Sequence, residues 1–141
     1  MADFIMDVGT PGAQANMVPA TFISRNAEED GIKAGRIVIA GTQDASCLDA
    51  DSVSPLSAGD IIGLATTDGD TGDSVRVATH GCFWVDVDGT VTPTSAVKYA
   101  PATGKWGASG AVTVTGAKWD TSTGSSGGLA IVRLNGFAVS V

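Results

Sequence analysis

Several short segments hold residue types that could do chemistry. Gly124-Ser125-Ser126-Gly127-Gly128 has the GxSxG spacing of a nucleophilic serine, which needs a strained strand-to-helix turn and later acid and histidine partners. No Asp, Glu or His follows Ser126, and the one histidine, His80, lies upstream. The segment reads as a loop. His80 lacks a partnered serine or cysteine to activate and, beside Gly81, reads as a turn residue. Asp68-Gly69-Asp70-Thr71-Gly72-Asp73 alternates carboxylates as half of a calcium loop does, but the twelfth position of that pattern, a Glu in an EF-hand, is Thr79. It reads as a solvated turn. Gly104-Lys105 lacks the upstream glycine and the following Ser or Thr of a phosphate loop, and so marks a hairpin.

Cys47 and Cys82 stand in neither a CxxC redox pair nor a zinc-ligand spacing. Cys82 is expected as a small core residue and Cys47 as a loop thiol, both free. Trp84, Trp106, Trp119 and Tyr99 could form a platform for sugars, but their alternation within apolar runs puts them in a core or at a subunit contact. The residues therefore predict no catalytic site, no cofactor and no metal.

The elements that must position these residues are short strands. Period-2 runs bounded by Gly, Asp, Thr and Pro cover Arg36 to Ala40, Ile61 to Thr66, Val75 to Ala78, Cys82 to Val87, Val97 to Tyr99, Val112 to Val114 and Leu129 to Leu134. In the fourth run Phe83, Val85 and Val87 share one face, expected to be core. Cys82, Trp84 and Asp86 share the other, expected to end in water or an interface. Asp68-Gly69, Asp88-Gly89, Thr103-Gly104 and Asn135-Gly136 have hairpin-turn chemistry. Only Ser24 to Gly31 has a helical look, and Thr121 to Gly128 is a flexible loop by composition. The first residues differ, because Gly9, Pro11, Gly12 and Pro19 break any regular element while Phe4, Ile5, Met6, Met17 and Val18 stay apolar. The expectation is an all-β chain, a single β-sandwich or jelly-roll-like barrel over residues 20–141 with an extended N-terminal arm over residues 1–19.

A chain of 141 residues is long enough for one self-sufficient core. Its hydrophobic share of 43% against 16% charged residues argues for a folded domain despite 19 glycines. The formal net charge of −7 disfavours nucleic acid, whose phosphates call for a basic patch. No apolar run approaches the length that spans a bilayer, and the acidic start lacks the pattern of a secretory signal. The charge is uneven: residues 1–95 hold fourteen of the fifteen acids, while residues 96–141 hold Asp120 against Lys98, Lys105, Lys118 and Arg133. Such asymmetry can orient a protein on a partner.

Taken together, several blocks resemble the structural cement (capsid decoration) proteins of tailed bacteriophages. They are Pro11-Gly12-Ala13-Gln14-Ala15-Asn16, Ser24-Arg25-Asn26-Ala27-Glu28, Ile32-Lys33-Ala34-Gly35-Arg36-Ile37-Val38, Ala58 to Ala65, Tyr99 to Gly104, and Leu129 to Asn135. Two departures stand out: Asn16 occupies a place where the family pattern leads one to expect an acid, and Lys33-Ala34 replaces a Pro-aromatic pair before Gly35. The resemblance implies a β domain on the outer capsid surface of a virion, synthesised in the host cytoplasm, that bridges neighbouring major capsid subunits and stabilises the expanded shell. Its implied partners are the major capsid protein and further copies of itself, as a dimer or trimer, with neither nucleic acid nor membrane. Phe4, Ile5, Pro11, Asn16, Met17, Val18, Arg25, Lys105, Lys118 and Arg133 are the candidate capsid contacts. The rival reading is a carbohydrate-binding β module of a phage fibre or bacterial surface protein.

Overall fold

The computed structural model describes residues 10–15, 19–53 and 55–141. Its strands are β1 (Thr21–Ala27), β2 (Ile37–Ala40), β3 (Ser46–Asp49), β4 (Ile61–Ala65), β5 (Ser74–Val87), β6 (Lys98–Ala100), β7 (Lys105–Gly107), β8 (Val112–Thr115), β9 (Lys118–Trp119), β10 (Gly128–Asn135) and β11 (Ala138–Ser140). The only helical elements among the described residues are two single 3-10 turns, Ala50–Ser52 and Ala58–Asp60. The fold is all-β, as the alternation predicts.

The pairing β1-β3-β2-β4-β5 returns to its start, because β5 also pairs with β1. These five strands therefore close into a small barrel, with β1 and β3 parallel and the other neighbours antiparallel. Ala27, Val38, Cys47, Ala65, Val75 and Val77 alternate onto its inner face and form one buried cluster, joined by Ile32 from the loop before β2. Closure removes the sheet edges that would otherwise invite aggregation.

β5 is fourteen residues long and outruns the barrel. Its first half closes the barrel against β1 and β4, while its second half pairs with β10 from Gly128↔Val87 to Asn135↔His80. β9 continues that sheet, and β7, β6, β8 and β11 follow one another from the far end of β5. The larger core lies here: Phe83, Val85, Tyr99, Trp106, Trp119 and Leu134 pack with Ile37, Ile39 and Leu64 from the outer face of the barrel.

Several expectations change. Ser24 to Gly31 is not helical: Thr21–Ala27 is β1, paired with β5 along its length, so tertiary pairing overrides the local look of Glu28 and Glu29. Those acids hold loops instead. Glu28 Oε1 accepts from the Thr42 and Gln43 N–H groups at 2.8 and 2.9 Å, and Glu29 Oε2 accepts from Asp49 N at 2.9 Å. Runs 75–78 and 82–87 are one strand, with Gly81 at φ 120° letting it pass through a conformation other residues avoid. His80 is accordingly a mid-strand residue. Asn135-Gly136 is no hairpin, since β11 leaves β10 to pair with β8. Cys47 is buried in β3 rather than in a loop, and burial raises its thiol pKa. Both cysteines are free. The Thr121 to Gly128 segment is tied down by Thr123, whose Oγ1 donates to Gly89 O at 2.7 Å.

Candidate interaction surface

The described part of the arm runs along the edge of β5. Gly12 N donates to Trp84 O at 2.7 Å, Trp84 N donates to Ala13 O at 2.9 Å, and Ala15 N donates to Cys82 O at 2.8 Å. β1 then takes up the same edge from His80 to Ser74. Residues 12–15 and β1 thus accompany β5 in succession, and β10 and β4 occupy its other edge. Pro11 and Gly12 make a turn rather than a strand, but the backbone donors that follow find partners on β5, as buried amides must.

This path closes the second face of β5. Ala15, Cys82, Trp84 and Ile131 form a small buried cluster flanked by Ala13 and Leu129, and Trp84 is only 7% exposed. The face expected to end in water or at an interface is, at Cys82 and Trp84, a minor core covered by the arm. Asp86, further along, pairs with Lys105 Nζ at 2.6 Å.

The arm turn is locked to the body by close backbone packing. Gly12 and Gly35 both have positive φ; a Cβ on Gly12 would lie 2.7 Å from Ala34 Cβ, and one on Gly35 would lie 2.7 Å from Pro11 Cβ. Gly35 O accepts the Trp106 indole N–H at 2.8 Å, a buried bond between the barrel and the sheet beyond it. Arg36 lies against Gly104, where a side chain would collide with its guanidinium. Arm, barrel and the β6–β7 turn therefore meet around Gly35.

Among the candidate contacts, Phe4, Ile5, Asn16, Met17 and Val18 lie outside the described residues. Pro11 and Lys105 come together in one groove, which Lys33, Arg36 and Asp86 also line. Lys118 and Arg133 come together in a second groove with Pro19 and His80. Arg25 joins neither; its Nη1 donates to Ser24 O at 2.9 Å. Lys33, Arg36 and His80 were missed as surface candidates. Sequence proximity to Gly35 hints at the first two, whereas His80 becomes visible only once β5 is known to be continuous.

The suspected chemistry resolves into structure. Asp70 Oδ1 accepts from Gly31 N at 3.0 Å, Asp73 Oδ2 from Asp70 N at 2.9 Å and Asp68 Oδ1 from Ala34 N at 2.7 Å. Asp30 Oδ1 accepts from Thr71 N at 3.0 Å, and this backbone bond holds its carboxyl below the usual range. The acidic turn is thus fastened to the barrel, and no metal-binding group of three or more such side chains occurs among the described residues. Ser126 is exposed in the turn between Gly124 and Gly127. The aromatic residues are core: Trp106, Trp119 and Tyr99 are buried, Tyr99 stands edge-on to Trp106 at 5.1 Å between centroids, and Trp119 Nε1 donates to Ala96 O at 3.1 Å.

Comparison with known proteins gives two findings. A family model described as phage cement, "Structural cement protein (E217 gp24/Pam3 gp6)", matches residues 3–135. A chain in the solved structure "The capsid of Myoviridae Phage XM1" is similar in fold, with a TM-score of 0.59, 20% identity and 91% of each chain covered. No curated protein matches.

Proposed function

The chain belongs to the structural cement protein family, on a match running over residues 3–135, and from that premise we propose that it decorates the outer surface of a phage head. In this reading it bridges neighbouring major capsid subunits and stabilises the expanded shell beside further copies of itself. The family match carries the reading, and the likeness to a chain of a phage capsid supports it at the level of fold. The carbohydrate-binding alternative loses its motivating feature, because Trp84, Trp106, Trp119 and Tyr99 are all buried.

The division at residue 19 takes a functional meaning here. Residues 1–19 are the clamp, carrying Phe4, Ile5, Asn16, Met17 and Val18 as contacts, and residues 20–141 are the body. The run 10–15 anchors the clamp on β5, and Arg25, Lys105, Lys118 and Arg133 supply charged contacts from the body. A standard interface buries roughly 1,200–2,000 Å² in total, of which an extended apolar arm can provide much.

Mixing the purified protein with undecorated expanded capsids and sedimenting them tests the reading. Saturable co-sedimentation is expected, and protein left entirely in the supernatant would overturn it. Two truncations then separate clamp from anchor. Removing residues 2–9 should leave folding intact and weaken capsid binding tenfold or more, about 1.4 kcal/mol. Removing residues 2–15 should in addition uncover Trp84, red-shift tryptophan emission and lower stability by about 1–3 kcal/mol for the lost ladder bonds. Undiminished affinity after removal of residues 2–9 would take Phe4 and Ile5 out of the clamp.

A further inference from the structure

We propose that the groove between β9, β10 and the middle of β5 receives the acidic end of the barrel from a second copy of this chain, so that copies associate head to tail. The inference takes its setting, copies crowded on one shell, from the capsid reading.

The groove has a volume of about 650 Å³ and is lined by Pro19, His80, Gly81, Lys118, Arg133 and Asn135 among others, with no carboxylate among its described lining residues. That volume is in the range of pockets that hold compact ligands. Pairing of β9 with β10 sets Arg133 directly opposite Lys118, and like charges directly opposite destabilise a ladder. Within the chain Arg133 is offset in part, since Cys82 and Asp120 beside it favour its charged form. Asp120 Oδ2 lies 4.0 Å from Arg133 Nε and also accepts from Cys82 Sγ at 3.5 Å, while Lys118 makes no ion pair among the described residues. Two cations are thus held side by side on a protein whose net charge is −7.

The complementary surface is on the same molecule. Asp44, in the turn between β2 and β3, shares a depression with Glu28, Thr71 and Gly72. Asp30, Asp70 and Asp73 are exposed beside it, each with one carboxylate oxygen fixed by a backbone N–H. That fastening presents a rigid anionic knob, so little ordering entropy is lost on docking. The knob cannot reach its own groove. It adjoins Ser74, the groove adjoins His80, and six residues of extended strand separate them by about 20 Å. Contact therefore joins two molecules through different patches, which is a heterologous interface. Each contact is small and salt-sensitive, and it gains from the high effective concentration of neighbours on a shell.

Sedimentation equilibrium of the full chain without capsids tests this. At millimolar protein in about 10 mM salt the average mass should climb past that of a dimer, and in about 0.3 M salt, where the Debye length falls from about 30 Å to under about 10 Å, it should return to the monomer. The groove variant Lys118→Glu/Arg133→Glu and the knob variant Asp44→Lys/Asp70→Asn/Asp73→Asn should each stay monomeric. Mixed, they should form a one-to-one complex that stops at two copies, because one intact groove then meets one intact knob. Lys118→Gln/Arg133→Gln replaces the groove variant if charge reversal prevents folding, as judged by the β spectrum. A monomeric native protein throughout, a variant that associates like the native chain, or a mixture that stays monomeric would each overturn the proposal. A groove variant that keeps self-association but loses capsid binding would assign the groove to the shell, overturning the head-to-tail contact while leaving the capsid reading intact. Native protein that associates but fails to bind capsids would overturn only the latter.

Discussion

The five-stranded barrel and the sheet beyond it bury their apolar residues under different constraints. Inside the barrel the strands supply small side chains, Ala27, Val38, Cys47, Ala65, Val75 and Val77, with Ile32 added from the loop before β2, because five strands enclose less space than the eight that leave just enough room for a filled interior. Outside it, Phe83, Tyr99, Trp106 and Trp119 fill the space between barrel and sheet. The surfaces differ too. Residues 19–79 carry ten acids and four bases, and residues 80–141 carry three acids and four bases. The lesson is that the barrel is limited by steric room and the outer core by the volume its aromatics supply. The two should respond oppositely to gain and loss of side-chain volume.

Substitutions can break or sharpen that contrast. Trp119→Ala, in the outer core, should cost about 3–5 kcal/mol by denaturant unfolding, and a loss under about 1 kcal/mol would mean that the aromatics are not its main fill. Ala65→Leu, inside the barrel, should cost about 1–3 kcal/mol through overpacking. A neutral result would show slack in the closed ring and dissolve the distinction. The smallest effect belongs to Asp49, at the end of β3. Burial raises its carboxyl pKa, against the lowering influence of the Asp51 N–H and Arg36. A raised folded pKa contributes stability that is present below the unfolded value and lost as pH rises through the folded one. Asp49→Asn should therefore gain on the native protein as pH rises from about 4, the ordinary carboxylate value. A difference that is flat with pH would remove Asp49 as its source.

Much of the fold was legible where alternation and apolar character coincide, as in Ile61–Ala65 and Gly128–Asn135. It was hidden where a strand depends on its partner. Thr21–Ala27 ends in Asn26-Ala27 before two glutamates, which looks helical locally, and only its pairing with β5 makes it extended. Gly81 disguised one long strand as two, since the sequence does not show whether a glycine ends an element or carries it through an unusual φ. For the candidate surface, the excess of bases after residue 95 was visible in advance. That Lys118 and Arg133 face each other while Lys105 pairs with Asp86 depends on register, which only the assembled sheet determines.

The continuity of β5 has a mechanical side. One unbroken strand of fourteen residues, roughly 46 Å at 3.3 Å per residue, belongs to both the barrel and the sheet beyond it. Ladder bonds lie perpendicular to the strands they join. A tension that draws the two halves apart along β5 therefore loads its bonds to β1 and β10 in shear, many at once, instead of peeling them open one after another. β5 acts as a tie-rod through the molecule, with the highest resistance along its own axis and the least across the short strands at either side.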